Sequence, residues 1–504
     1  MSEVRTRFAP SPTGYMHIGN LRTALYSYLL AKSKGGSFIL RIEDTDQKRY
    51  VDGAVDVIHN VLKDCGIVWD EGDDVGGNFG PYTQSERVKS GIYLKYAKEL
   101  IEKGHAYYCF CKDCHSDLLR YSEDVNYGHN ERSNTFVGYN GHCRNLSQEE
   151  IEKNLKEGKP FVIRQKLEKN IDVTYHDEVF GDITINSNDL DDQVLIKRDG
   201  FPTYNFANVI DDHLMEITHV VRGCEYLSST PKYNLLYQAF GWDIPKYVHL
   251  PLIMGETNGV VSKLSKRDGA VTFDEFVKQG YTNEAIINYI ALLGWTPNGN
   301  QEFFSMEEMK KLFNVKKINK SPAIFDYKKL DWINGKYIRK TSDDKFLDYA
   351  KQFTVFNETK YNQYYNEVIL SLKNKLNKYT DIDNILKPIY EYDVNYDLNY
   401  LIVDKIQADY NTAIDSLNYF KDYYQSLILS FKEKNYDFNN DKSFWENIPY
   451  KKSVFMTALR VAMTGESFSM LDPILMLKIL DKDSILYRIE SSIERISNQV
   501  LNKG

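Results

Sequence analysis

Val4-Arg5-Thr6-Arg7-Phe8, then Ala9-Pro10-Ser11-Pro12-Thr13-Gly14, then His17-Ile18-Gly19-Asn20 read as strand, turn and helix start. Val4 to Phe8 alternates in polarity as a short strand does, two prolines and a glycine mark the turn, and Leu21, Ala24, Leu25, Tyr28 and Leu29 recur at helical spacing. The helix therefore buries one face and aims its N-terminus at a sheet edge. Free N–H groups and the positive end of the helix dipole make that terminus an anion site, and a polyphosphate fits there. Gly19 leaves room for a planar ring or a phosphate to approach the backbone, and His17 can donate to a phosphate oxygen. Alone, His17-Ile18-Gly19-Asn20 is equally an ordinary helix cap.

Lys263-Leu264-Ser265-Lys266-Arg267 puts three cations within five residues, among Gly255, Gly259 and Gly269. That composition suits a mobile loop able to close over charge; by itself it is a solvated basic loop. No GxxxxGK[ST] string occurs, so the P-loop route to ATP is unsupported.

As an ordered pair the two strings resemble the ATP-handling signatures of class I aminoacyl-tRNA synthetases. Further stretches extend the likeness: Leu40-Arg41-Ile42-Glu43-Asp44-Thr45-Asp46, Gly80-Pro81-Tyr82-Thr83-Gln84-Ser85-Glu86-Arg87, and Asp199 to Asn208 with Asp211-Asp212-His213. Leu330-Asp331-Trp332-Ile333-Asn334-Gly335-Lys336-Tyr337-Ile338 and Ala458 to Gly465 complete the series. In this order they resemble bacterial-type glutamyl-tRNA synthetase over nearly the whole chain. One departure is Asn20, where most class I enzymes carry a second histidine.

The resemblance implies glutamate activation by ATP with Mg2+, then transfer to the terminal adenosine of tRNA(Glu); whether tRNA(Gln) is also charged stays open, and relatives suggest a monomer. Glutamate carries two carboxylates and an ammonium, so a selective pocket needs two separated cations and one anion, and glutamine would leave a buried cation unpaired. By resemblance Arg7 meets the side-chain carboxylate, Arg222 the other carboxylate and Glu43 the ammonium, with neutral bonds from Ser11, Tyr204 and Asn208. Pro10, Gly14, His17, Gly19, Asn20 and Lys266 would hold ATP; His17, Lys263, Lys266 and Arg267 would act on its phosphates. Three alternatives stay in view: a shorter glutamyl transferase acting on a modified tRNA base, another nucleotidyl-transferring ligase, and an inactive tRNA-binding paralogue.

Cys109-x-Cys111, followed about thirty residues later by Cys143, resembles a zinc knuckle of some relatives. Those relatives have Cys-x-His where this chain reads Cys143-Arg144-Asn145, so the fourth ligand is open among Tyr139, His142, Cys114 and His115; Tyr139 is the one taken with the three thiols. Free thiols are the alternative.

At 504 residues, with 42% apolar residues, the chain can bury a large core, and no 18-residue apolar run could span a membrane. Six cysteines suit a reducing compartment, and the absence of a signal core at the N-terminus makes the cytoplasm the expected location. The net charge of -8 does not exclude RNA, which needs only a local basic surface: ten basic against two acidic residues lie between Lys310 and Lys340. By resemblance this is the stem-contact region.

The expected fold is α/β followed by all-α. A doubly wound parallel Rossmann-like sheet occupies 1–107 and 195–255, with Asp192 to Lys197 as the first strand of its second half. An inserted α+β connective domain, 108–194, binds the acceptor end. Residues 256–340 form a helical stem-contact domain carrying the lysine loop and a helical stretch from Phe273 to Leu293. Residues 341–504 form the helical anticodon-binding part, and the helical portion predicts two bundles. The tyrosines of 361–450 read as core packing before base stacking.

Overall fold

The structure, a computed structural model, describes residues 3–111, 139, 141–265, 268–297, 299–426 and 440–502. Strand β1 (Arg5–Phe8) is buried at every position, as an interior strand of a parallel sheet must be. It pairs in parallel with β2 (Ser37–Leu40) on one side and β8 (His219–Gly223) on the other. Next to β8 come β9 (Lys246–Leu250), β5 (Asp172–Asp177) and the antiparallel edge strand β6 (Gly181–Asn186), giving the order β2-β1-β8-β9-β5-β6. Helix α1 (Ile18–Ser33) crosses from β1 to β2 and buries Leu21, Ala24, Leu25, Tyr28 and Leu29, the residues whose spacing announced it.

Two expectations for strands need correction. The stretch Asp192 to Lys197 does contain a strand, β7 (Val194–Ile196), but it lies in a separate antiparallel sheet with β3 (Ala106–Cys109) and β4 (Val162–Gln165). Polar ties fix that choice. Gln165 N–H donates to the Gln193 carbonyl (3.0 Å), Arg164 Nη1 to the Asp192 carbonyl (2.8 Å), and Tyr107 OH to the Asp192 carboxylate (2.9 Å). Conversely β5 and β6, inside the stretch expected as the insertion, belong to the main sheet.

The region after 256 is not purely helical either. Antiparallel β10 (Ile253–Thr257) and β11 (Val260–Lys263), with β12 (Ala323–Ile324), make a three-stranded sheet whose edge strand delivers Lys263. Beyond it the single helical stretch expected from Phe273 is two helices, Phe273–Lys278 and Asn283–Leu292, interrupted at Gly280, whose φ of +84° a side chain would resist.

By its internal contacts the chain divides into two units, Met1–Phe276 with Ile286–Asp326, and Val277–Ala285 with Tyr327–Gly504. The second unit is helical among its described residues. Among its described residues a core runs from Ile338 to Ile496, and Tyr361, Tyr365, Tyr379, Tyr396 and Tyr424 lie in it, as packing residues. Among the described residues no helix is long and apolar enough to cross a membrane.

Candidate active site

His17 sits at the N-cap of α1, and its Nδ1 accepts the Gly19 N–H at 3.0 Å. The ordinary cap and the candidate catalytic residue are thus one side chain. With Nδ1 occupied as acceptor, the neutral ring carries its proton on Nε2 and presents a donor. Burial lowers the imidazole pKa, and the Lys263 charge lowers it further against Glu275. A Cβ on Gly19 would stand 3.3 Å from His17 Nδ1, so glycine here makes room for the cap itself. The end of the lysine loop is stitched to this point: His17 bridges to Thr272, Ile18 N–H donates to the Val271 carbonyl, and Phe273 N–H to that of Met16. Lys266 and Arg267 lie outside the described residues. Their described neighbours are bonded together, Asp268 receiving the Ser265 N–H (2.8 Å) and the Thr257 hydroxyl (2.7 Å).

At the same edge, the carboxyl ends of parallel strands converge, where open α/β sheets bind ligands. Arg7 is the next-to-last residue of β1, Arg222 of β8, and Glu43 follows β2 by three positions. Arg7 donates to Asp212 through Nε (3.0 Å) and Nη2 (3.2 Å), and to the Val221 carbonyl through Nη1 (3.3 Å). Fully buried Arg41 bridges Glu43 Oε1 (2.9 Å) and Asp212 Oδ1 (2.8 Å). Two guanidiniums thereby share two carboxylates. The adjacent Asp211 is answered separately by Arg87 (2.7 Å), Gln84 (2.9 Å) and Tyr93 (2.8 Å). Glu43 Oε2 is buried with no hydrogen-bond partner among the described residues. Burial pushes the Glu43 carboxyl up to about 7, although Arg41 and Arg7 pull the other way. A buried carboxylate oxygen of this kind fits an ammonium.

Arg222 is held differently. It is 5% exposed, its Nε donates to His249 Nε2 (3.1 Å) and its Nη2 to the Thr230 hydroxyl (2.7 Å), and no carboxylate among the described residues pairs with it. The rings of Tyr226, Tyr233 and Tyr247 surround its guanidinium carbon at 5.1, 4.6 and 5.3 Å. This cation can accept a ligand carboxylate without surrendering an internal one. Tyr204 stacks near Tyr226 with ring centroids 5.6 Å apart, and its hydroxyl feels both Glu43 and Arg222. Asn208 is buried and its amide donates to the Tyr204 carbonyl (2.8 Å).

The structure thus brings buried Arg7, Glu43 and Arg222 together with half-buried Tyr204 in one polar cluster, and His17 and Lys263 into electrostatic contact. Ser11 and Asn20 are exposed, Ser11 on the turn and Asn20 in the first turn of α1; buried Pro10 and half-buried Gly14, at φ +127°, form the rest of the turn. The partners Arg41, Asp212, Asp177 and His249 escaped the sequence reading. Arg41 and Asp212 stood inside quoted motifs, but Asp177 and His249 belong to none.

Cys109, Cys111 and Cys143 form a group whose sulfurs lie within 4.8 Å of one another. The Tyr139 oxygen is 3.3 Å from Cys109 Sγ, 3.6 Å from Cys111 Sγ, and accepts the Cys143 N–H at 2.9 Å. The three thiols lie close enough together to be candidate metal ligands, and the Tyr139 phenol is hydrogen-bonded among them. His142 is exposed, and Cys114 and His115 lie outside the described residues.

Comparison with known proteins gives a consistent result along the chain. The family described as tRNA synthetases class I (E and Q), catalytic domain, matches residues 3–332, and an anticodon binding domain matches 345–493. A glutamate--tRNA ligase of Clostridium novyi (strain NT) is 48% identical over 504 residues, covering 99% of each chain. That of Clostridium tetani (strain Massachusetts / E88) is 46% identical over 509 residues, again with 99% of each covered. The crystal structure of a glutamate tRNA ligase from Elizabethkingia meningosepticum, in complex with its amino acid, superposes with a TM-score of 0.80 at 35% identity, covering 98% of this chain and all of that one.

Proposed function

The chain belongs to the glutamate--tRNA ligases of the class I synthetases, and we propose that it joins L-glutamate to the terminal adenosine of tRNA(Glu) at the cluster around Glu43 and Arg222. A glutamate carboxylate oxygen attacks the ATP α-phosphate, pyrophosphate leaves, and glutamyl-adenylate remains. A ribose hydroxyl of the terminal adenosine then attacks the activated carbonyl and AMP departs. Neither step needs a protein nucleophile, so positioning and electrostatics carry the catalysis.

Within this reading Glu43 takes the substrate ammonium, Arg222 one carboxylate, and Arg7, already held by Asp212, offers its remaining N–H groups to the other. Ser11, Tyr204 and Asn208 add neutral contacts. Pro10, Gly14, Gly19 and Asn20 line the nucleotide, His17 donates Nε2–H to a phosphate, and Lys263, Lys266 and Arg267 neutralise developing phosphate charge. Magnesium, when bound to ATP, would screen the phosphate oxygens. The observation that carries the assignment is the coexistence, among the described residues, of a buried Glu43 oxygen with no hydrogen-bond partner and a buried Arg222 guanidinium with no carboxylate partner, at one sheet edge.

We further propose that Cys109, Cys111, Cys143 and Tyr139 hold a structural zinc, that the enzyme is a cytoplasmic monomer, and that the helical second unit decides whether tRNA(Gln) is charged as well as tRNA(Glu). Metal analysis of the Cys109→Ser protein tests the zinc: retention of one equivalent would exclude that cysteine. Glutamate-dependent exchange between ATP and pyrophosphate, with and without tRNA(Glu), tests the activity. Exchange is expected with tRNA present, and its absence under both conditions would refute the assignment.

A further inference from the structure

Two arginines in this site are held by opposite devices. Asp212 grips Arg7 directly, with Nε–Oδ1 at 3.0 Å and Nη2–Oδ2 at 3.2 Å, so that guanidinium is neutralised from within. Arg222 is separated from the nearest acid of its own network by an imidazole. Asp177 Oδ2 accepts from His249 Nδ1 (2.7 Å) and from the His249 backbone N–H (3.0 Å), while Oδ1 accepts from the backbone N–H groups of Val179 (2.9 Å) and Phe180 (2.8 Å). All four acceptor positions of the carboxylate face fixed donors, so its orientation is not adjustable. His249 Nδ1 must then carry the proton, which leaves Nε2 as the lone-pair acceptor for Arg222 Nε. The Thr230 hydroxyl accepts from Nη2 on the same edge of the guanidinium and lies 3.3 Å from His249 Nε2, so two neutral groups hold that edge. The parallel register of β8 and β9 places Arg222 directly opposite His249, so the imidazole is the first group the arginine meets.

We infer that His249, locked by Asp177, is a positioning residue for glutamate binding: it orients Arg222 toward the substrate carboxylate while keeping the Asp177 carboxylate out of contact with it. The inference rests on the reading of Arg222 as a glutamate ligand. An acid at position 249 would complete Arg222 internally, as Asp212 completes Arg7, and the substrate would compete against a tethered carboxylate. A neutral acceptor orients the guanidinium without spending its charge. Burial accords with this, holding His249 neutral, with its pKa lowered to about 4.

The test compares His249→Gln, His249→Asn and Arg222→Gln in the full-length enzyme by pyrophosphate exchange in the presence of tRNA(Glu). Glutamine can place an amide oxygen near the Nε2 position, so H249Q keeps KM for glutamate within about threefold. Asparagine reaches Asp177 but not Arg222, so H249N raises KM for glutamate about tenfold or more, the scale of one lost charge-assisted bond, with kcat and KM for ATP within about twofold. Unchanged KM for glutamate in H249N, with a raised value in R222Q, overturns the inference and leaves the role of Arg222 standing. Unchanged KM in R222Q overturns that role itself. Parallel losses in kcat and in both KM values reduce His249 to a packing residue. Should the variants fail to fold, nitrogen NMR of the histidine-labelled wild-type protein decides: a neutral ring protonated on Nδ1 is expected, and the Nε2–H tautomer or an imidazolium overturns the inference.

Discussion

Glu43 is the residue proposed to take the substrate ammonium, and its environment makes its charge conditional. A carboxyl raised from 4.5 to about 7 binds its proton more tightly in the folded than in the unfolded chain. As pH rises between those values, this group therefore subtracts stability from the fold while acquiring the anionic form an ammonium needs. We expect kcat/KM for glutamate to climb between about pH 6 and 8 and then level, and Glu43→Gln to flatten that limb while raising KM. A pH profile of pyrophosphate exchange checks both; His249, neutral throughout this range, does not contribute. His17→Ala should slow adenylate formation about a hundredfold by removing the Nε2 donor, with KM for glutamate within twofold and about 1 kcal/mol of stability lost with the helix cap. Single-turnover kinetics and thermal melts separate the two losses. Arg7, Glu43 and His17 were legible because each sits in a short string whose neighbours narrow its chemistry. Asp177 and His249, 72 positions apart, were not. Each reads locally as one polar residue in a strand, and only the register of β5, β8 and β9 makes them one network.

At the level of elements, patterning revealed strands at Val4 to Phe8 and Asp192 to Lys197 but not which sheet the second would join, and it missed the strands on either side of Gly259. Val194–Ile196 pairs with β4 because Asp192 and Gln193 engage Arg164 and Gln165, contacts between stretches some thirty residues apart that no periodicity encodes. The motif around Leu330 to Ile338 gains a structural meaning of the same kind. Buried Asn334 receives the Thr282 N–H (2.9 Å) and donates to the carbonyls of Gly280 (3.2 Å) and Asn377 (2.6 Å), binding three segments of the second unit. Gly280 is the tight point: a Cβ there would stand 2.7 Å from Thr380 N and 2.8 Å from Tyr379 N, at a left-handed φ. Gly280→Ala should cost about 2–3 kcal/mol and lower Tm by several degrees, whereas Gly259→Ala, with open space around it, should cost about 1. Calorimetry of the two variants checks the difference.

For the whole molecule, a net charge of -8 must coexist with polyanion binding, so the attraction is local. The basic run between Lys310 and Lys340 predicts that KM for tRNA rises on the order of a hundredfold between about 50 and 200 mM salt if about four phosphates are neutralised, while KM for glutamate hardly moves. Aminoacylation titrated with KCl checks this. The helical second half was readable from apolar positions repeating at three and four, and the α/β first half from its motifs and the resemblance they carry. How the helices of the second unit share a core was not, since amphipathic helices declare that they pack but not with whom. One backbone bond reaches across these scales: Glu43 N–H donates to the Pro10 carbonyl at 3.0 Å, tying the residue proposed to take the ammonium to the turn proposed to line the nucleotide. On the proposed site, a displacement of that turn on nucleotide entry would carry Glu43 with it. The two small substrates should therefore bind with thermodynamic synergy, and by reciprocity the factor by which ATP alters glutamate affinity will equal the factor glutamate exerts on ATP.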